Sequence, residues 1–185
     1  DVLGSRGLGG VYKRQGIRYG YIEQLDDELL RISKESFDAL SFNCYALSPD
    51  HEKMNHALEI SGLPMIIGEY HFGTVDRGLA QSLWQVNSQK ERGDAFRYYT
   101  ENAFAHRGLI GTGWFRWIDQ NINGRTDGEN YNCGFIDVTD RPYPYMVDAA
   151  IETAKSLYEI HSGTKTPFHQ TPNAVGHSPI PDLWE

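Results

Sequence analysis

The stretch from Leu63 to Gly73, L-P-M-I-I-G-E-Y-H-F-G, constrains this chain more than any other. A short apolar run entered through a proline and left through a glycine reads as a strand buried on both faces. That is the habit of parallel sheets covered by helices. Alternation along a strand puts Met65, Ile67 and Glu69 on one face, so two core residues are followed by an acid at the C-terminal end. In parallel α/β architectures that end of the strand is where functional groups collect.

The flanking segments repeat the pattern. Residues 24–34 place acids early and bases late, with Leu25, Leu29 and Ile32 on one stripe, which predicts a short helix. Residues 37–45 predict a strand with Ser41, Asn43 and Tyr45 on one face and Phe42 and Cys44 on the other. Asp50 is placed to cap a helix reaching Ile60, with Met54, Leu58 and Asn55 turned inward and Gly62 past its end. After the Glu69 strand, residues 74–88 read as a loop with some helix. Residues 89–106 form the clearest helix, through Ala95, Phe96, Tyr99, Ala103 and Phe104. Residues 109–118 form the next strand, and residues 145–161 an amphipathic helix. Strand and helix alternate three times, which predicts an α/β fold with a parallel sheet and right-handed crossovers. A doubly wound sheet and a closed barrel share this local pattern.

Three regions divide the chain. Residues 1–15 contain Val11-Tyr-Lys-Arg-Gln15, which resembles a translated adaptor sequence, and are set aside as non-native, so that the protein is expected to continue upstream. Residues 16–163 carry the β/α units. Residues 164–185, with four prolines among polar residues, read as an extended tail, either packed on the outside of the domain or mobile.

The net charge of -8 argues against nucleic acid or an anionic membrane as partner, since either calls for a basic patch. No run is long and apolar enough to span a bilayer. Cys44 and Cys133 are the only cysteines and make no CxxC, which points away from a zinc or redox motif. Aromatic residues reach 12%, a supply that suits a sugar site, where C–H faces stack on rings, and equally suits a large core.

Glu69 is the foremost candidate for chemistry. Tyr70, His71, Asn43, Tyr45, Trp114 and Trp117 fall at strand ends on the same rim, and a phenol or imidazole beside a carboxylate can orient it. The plainer alternative is a strand-end carboxylate paired with a nearby arginine. His71 is either a contact for substrate hydroxyls or a structural histidine on a backbone carbonyl. Trp117 alternates away from Trp114 and is expected to pack under the outer helices. Asp76 and Arg77 are candidates for a loop staple. The polar loop 119–139 offers Asp119, Gln120, Asn123, Arg125, Asp127, Glu129 and Asn130 as groove-lining donors and acceptors. Its D-x-N-x-N-G-x-x-D spacing matches a calcium loop, but Asn130 stands where a bidentate glutamate is needed, so no metal is assigned.

Residues 66–78, I-I-G-E-Y-H-F-G-T-V-D-R-G, resemble the nucleophile strand of clan A glycoside hydrolases, and more narrowly of the β-agarase family numbered fifty. Residues 113–120, 124–130 and 134–140 resemble that family's last barrel strand and the loop after it, and the likeness spans Asp38 to His161. The resemblance implies a (β/α)8 TIM barrel, of which this chain would hold about three C-terminal units. It implies a retaining hydrolase of an agarose-like galactan, needing no cofactor, and secreted or periplasmic because the polymer cannot enter a cell. Glu69 would be the nucleophile, Trp114 the platform beneath the sugar and Tyr45 a hydrogen-bond donor to Glu69. The clan's acid/base follows an asparagine at the end of the fourth strand. No Asn-Glu pair occurs here, and Glu23, Glu28 and Glu35 fall in or beside the helix expected ahead of the first strand. The partner carboxylate is therefore expected upstream, and this piece alone is expected to be inactive. A carbohydrate-binding protein that has lost catalysis is the alternative on the same scaffold, and an unrelated α/β domain with a structural Glu69 is a third.

Overall fold

A computed structural model describes residues 17–176; the segment set aside above lies outside them. In chain order the elements are β1 (Ile17–Tyr21), a 3-10 turn (Ile22–Gln24), α1 (Asp27–Ser36), β2 (Leu40–Asn43), α2 (His51–Ser61), β3 (Met65–Tyr70), β4 (Trp84–Gln85), α3 (Gln89–Phe104), β5 (Leu109–Trp114), α4 (Pro144–His161) and β6 (Val175–Gly176). Strands β1, β2, β3 and β5 lie side by side in that order, all parallel. β4 and β6 form a separate antiparallel pair. Each strand of the main sheet is followed by a helix, so the described residues hold four β/α units where three were expected. The helix of the uncounted unit was expected over residues 24–34; its strand β1, I-R-Y-G-Y, is short and polar and carries no apolar run. Among the described residues no helix is long and apolar enough to cross a membrane.

The helices start where side chains supply acceptors for their first N–H groups. Asp26 accepts from Leu29 N at 2.8 Å, Asp50 from Glu52 N at 2.9 Å and Ser88 from Glu91 N at 3.2 Å. α4 instead opens with Pro144 in its first turn, where a missing N–H costs nothing. Two faces differ from expectation. α1 buries Leu30 and Ser33 while Ile32 is exposed, and it starts at Asp27, three residues later than the sequence suggested. On α2, Met54 and Ala57 point inward and Asn55 is exposed. Residues 74–88 contain the short β4 and no helix.

One hydrophobic layer joins the sheet to its helices. Leu40, Phe42, Cys44, Met65, Ile67, Tyr70 and Leu109 meet Met54, Ala57, Ala95, Phe96, Tyr99 and Met146. Tyr70 stacks on Tyr99 at 4.1 Å, with the ring planes 11° apart. The opposite face of the sheet is polar and open, with Arg18, Ser41 and Asn43 around Gly68. There β3 and β5 approach so closely that a Cβ on Gly113 would lie 2.6 Å from the Gly68 carbonyl oxygen, so only glycine fits.

Candidate active site

Glu69 reaches the open face through a break in the strand. Relative to both neighbours β3 carries one extra residue: Phe42 and Asn43 pair with Ile67 and Glu69, and Thr112 and Trp114 pair with Ile67 and Tyr70. Such a bulge reverses the alternation beyond it. Met65, Ile67 and Tyr70 therefore all face the helices and are fully buried, while Glu69 turns to the other side. The expectation that Met65, Ile67 and Glu69 share a face is corrected by this one residue.

Three side chains from β1 and the β2 end fix the carboxylate. Tyr45 donates its phenol to Oε2 at 2.8 Å, and Asn43 donates Nδ2 to the same oxygen at 3.1 Å. Arg18 pairs through Nη2 with Oε1 and also donates to Asn43 Oδ1 at 2.9 Å, which fixes the amide orientation of Asn43. Burial first, and then the neighbouring Glu69 carboxylate, push the Tyr45 phenol far above its ordinary value, so it remains a donor. The Glu69 side chain keeps 25% of its surface, and its open side faces a polar cleft of about 220 Å³. Tyr21, Phe115, Leu83, Arg125 and Glu129 line the same cleft with Asn43, Tyr45 and His71.

His71 is held from both ends. The Leu83 N–H donates to Nε2 at 3.1 Å, so Nδ1 carries the proton and donates to the Phe115 carbonyl at 3.0 Å. Burial lowers its pKa to about 3, which keeps the ring neutral. It walls the cleft with its ring, edge-on to Tyr45 at 4.9 Å, and has no nitrogen left for a sugar hydroxyl. Of its two readings, the structural one fits the contacts.

Neither tryptophan stands where it was expected. Trp114 faces the helices, 5.2 Å from Tyr70 and 5.5 Å from Phe96, and its indole donates to the Cys133 carbonyl at 2.7 Å. It does not line the cleft; its successor Phe115 does. Trp117 is 67% exposed and stacks on Phe135 at 6.0 Å.

The loop after β5 divides its candidates. Arg125 and Glu129 reach the cleft, where they pair at 3.3 Å, and Arg125 also pairs with Asp127. Gln120 is buried beneath them, donating to Glu129 at 2.7 Å and accepting from Tyr131 N at 2.7 Å. Asp119 is buried and committed to the protein interior. It accepts from Asn132 Nδ2 at 2.9 and 3.0 Å, Gly134 N at 2.6 Å and the Tyr143 hydroxyl at 2.5 Å. Asn132 in turn accepts from the fully buried Arg92 at 2.8 Å. Asp119 and Gln120 thus shape the loop from below and do not face a ligand, and the calcium-like spacing does not gather its carboxylates. Asp76 and Arg77 approach at 4.0 Å.

The geometry so far describes an oriented, accessible carboxylate in an aromatic-walled polar cleft at the C-terminal end of a parallel sheet. The chain is similar to β-agarases. It is 39% and 37% identical over 128 residues to β-agarase A and β-agarase B of Vibrio sp. (strain JT0107), a match covering 65% of this chain and 13% of each of those proteins. It superposes on a solved exo-β-agarase with a TM-score of 0.70 at 36% identity, covering 75% of this chain and 19% of that one. The chain therefore spans about an eighth of the curated relatives it matches, 13%. No family model matches it.

Reading the sequence alone missed Arg18, Tyr21, Leu83 and Phe115. Arg18 and Tyr21 sit on β1, where strict alternation would put them on opposite faces; a register shift between Tyr19 and Tyr21 brings both to the site. Phe115 was hidden by its neighbour: β5 ends at Trp114, which keeps the alternation of Ile110 and Thr112 toward the helices, so the next residue turns inward. Glu23, weighed as an upstream acid, follows β1 and pairs with Lys53 at 3.1 Å.

Proposed function

We propose that this chain is the nucleophile-bearing part of a retaining glycoside hydrolase that cleaves an agarose-like galactan. The observation that carries the reading is the convergence of Tyr45, Asn43 and Arg18 on Glu69 at the mouth of the cleft. Similarity to β-agarases names the substrate class. The four β/α units read as the C-terminal half of a (β/α)8 barrel, with residues 16–163 in the catalytic domain. An acid/base carboxyl, supplied upstream, would stand roughly 5–5.5 Å from Glu69.

In this reading a Glu69 oxygen attacks the anomeric carbon while the upstream acid gives its proton to the departing glycosidic oxygen. The resulting glycosyl ester is then cleaved by water, whose proton returns to the same upstream group. Tyr45 and Asn43 hold Glu69 in line for attack. Phe115 takes the platform role assigned above to Trp114, and Arg125 and Glu129 bind sugar hydroxyls. The work needs no cofactor. A polymer substrate implies export, hence a secreted or periplasmic protein.

One observation favours a second reading, a carbohydrate-binding protein without catalysis: Arg18 pairs with Glu69 as it would with a structural carboxylate. The full-length parent and its Glu69→Ala variant, assayed on agarose with and without azide, separate the two. The hydrolase reading expects turnover by the parent, none by the variant, and restored turnover as glycosyl azide. Equal behaviour of parent and variant on every galactan would overturn the hydrolase reading and move the binding reading ahead.

A further inference from the structure

The residues after α4 do not simply trail away. Buried Glu101 on α3, already paired with Arg97 at 2.9 Å, accepts the Phe168 N–H at 2.8 Å. Asn102 donates to the Phe168 carbonyl at 3.1 Å, and the Arg97 guanidinium lies 4.6 Å over the Phe168 ring. Further on, Pro172 is buried and Ala174 packs against the core. Val175 and Gly176 then pair with Gln85 and Trp84 at the cleft rim. The Trp84 carbonyl and Val86 N–H are both bonded to Gly73, so the Gln85 backbone groups face Val175. A strap thus runs along α3 to the wall of the cleft.

The strap meets the site through one residue. Gly176 lies flat on the Trp84 indole; a Cβ there would come within 3.1–3.3 Å of three ring atoms. The indole Nε1–H donates to the Tyr45 carbonyl at 2.9 Å, and the Tyr45 phenol donates to Glu69 at 2.8 Å. The same short strand is preceded by Leu83, whose N–H fixes His71 against the Tyr45 ring.

We propose that this strap is a positioning element for the site, acting through Trp84 on Tyr45 and through Tyr45 on Glu69. Trp84 and Gly176 touch no reacting atom. Their part is to hold the backbone from which the Tyr45 phenol reaches the carboxylate, so the proposal rests on the hydrolase reading of Glu69. The strap ties that geometry to α3, on the far side of the sheet.

The test uses the full-length parent on agarose with four variants: Trp84→Phe, Gly176→Val, Tyr45→Phe and Glu69→Ala. Trp84→Phe keeps a ring and removes only the donor. It and Gly176→Val are each expected to lower kcat about ten-fold, the scale of one lost hydrogen bond. KM and the melting temperature should stay near the parental values. In a Tyr45→Phe background neither change should lower kcat further, since all three act through one contact. Parental kcat in both single variants, or an undiminished fall in the Tyr45→Phe background, overturns the proposal. If Gly176→Val melts well below the parent, Trp84→Phe decides alone. Glu69→Ala separates the two failures: an active Glu69→Ala protein removes the hydrolase reading itself, whereas an inactive one beside parental Trp84→Phe removes only the strap's role.

Discussion

Glu69, near the end of β3, and Asp119, in the loop after β5, are both carboxylates held by hydrogen bonds, and they differ in what is left over. Asp119 is 4% exposed, and its oxygens are ringed by Asn132, the Gly134 N–H and the Tyr143 hydroxyl. Burial, then the bond to that carboxylate, push the Tyr143 phenol well above its ordinary value. Behind Asn132 stands buried Arg92, so this acid is one end of a charge-balancing network that fixes the loop. Glu69 has three side-chain partners and an open quarter of its surface facing the cleft. The lesson is that hydrogen bonding alone does not mark a working carboxylate; orientation combined with an unfilled approach does.

That contrast breaks most sharply under alanine. Glu69→Ala in the full-length parent is expected to lower turnover on the order of 10⁴-fold or more, as for other single nucleophile removals, with the melting temperature nearly unchanged. Asp119→Ala is expected to do the reverse. It strands Arg92 without its countercharge and leaves buried donors unpaired, a cost of about 3–5 kcal/mol, read by chemical denaturation, while folded molecules keep their kcat. If Asp119→Ala abolished turnover at unchanged stability, the two acids would have been assigned the wrong way round.

Tyr45→Phe sharpens the comparison at Glu69. Removing one hydrogen bond to a charged group corresponds to about 1.5–3 kcal/mol, or roughly 10- to 100-fold in kcat; steady-state kinetics should show it with KM little changed. His71 bears on stability rather than turnover, and the sign of its effect is fixed. Its folded pKa of about 3 lies below the ordinary histidine value, so the unfolded state binds the proton first as pH falls. The stability from keeping this ring neutral is full above about pH 6.5 and is lost toward pH 3, by about 1.4 kcal/mol per pH unit. His71→Phe should flatten that part of the stability profile; an unchanged slope would mean that His71 is not buried neutral.

Much of this was legible before the structure. The caps at Asp50 and Gly62 and the apolar run before Glu69 follow from local rules and stand where those rules put them, and Asn43 and Tyr45 both reach Glu69, although the strand expected over residues 37–45 spans only Leu40–Asn43. What stayed hidden depended on neighbours. The β3 bulge is visible only as a register between strands, and it changes which residues share the face of Glu69. The buried roles of Asp119 and Gln120 depend on Asn132 and Tyr131 folding back beneath the loop. Trp114 and Phe115 differ by one position, and only the end of β5 decides which turns inward. The pairing of β4 with β6 joins segments about ninety residues apart through two residues each, too short for any periodicity to announce.

The central claim is that Glu69 becomes covalently bonded to the sugar. Incubating the full-length parent with an activated 2-deoxy-2-fluoro galactoside tests it directly, because fluorine slows both steps while a good leaving group rescues only the first. Mass spectrometry of the digested protein should find the fluorosugar on the peptide carrying Glu69, and on no other carboxylate. An active parent that accumulates no adduct there, or carries it on a different residue, would contradict the assignment.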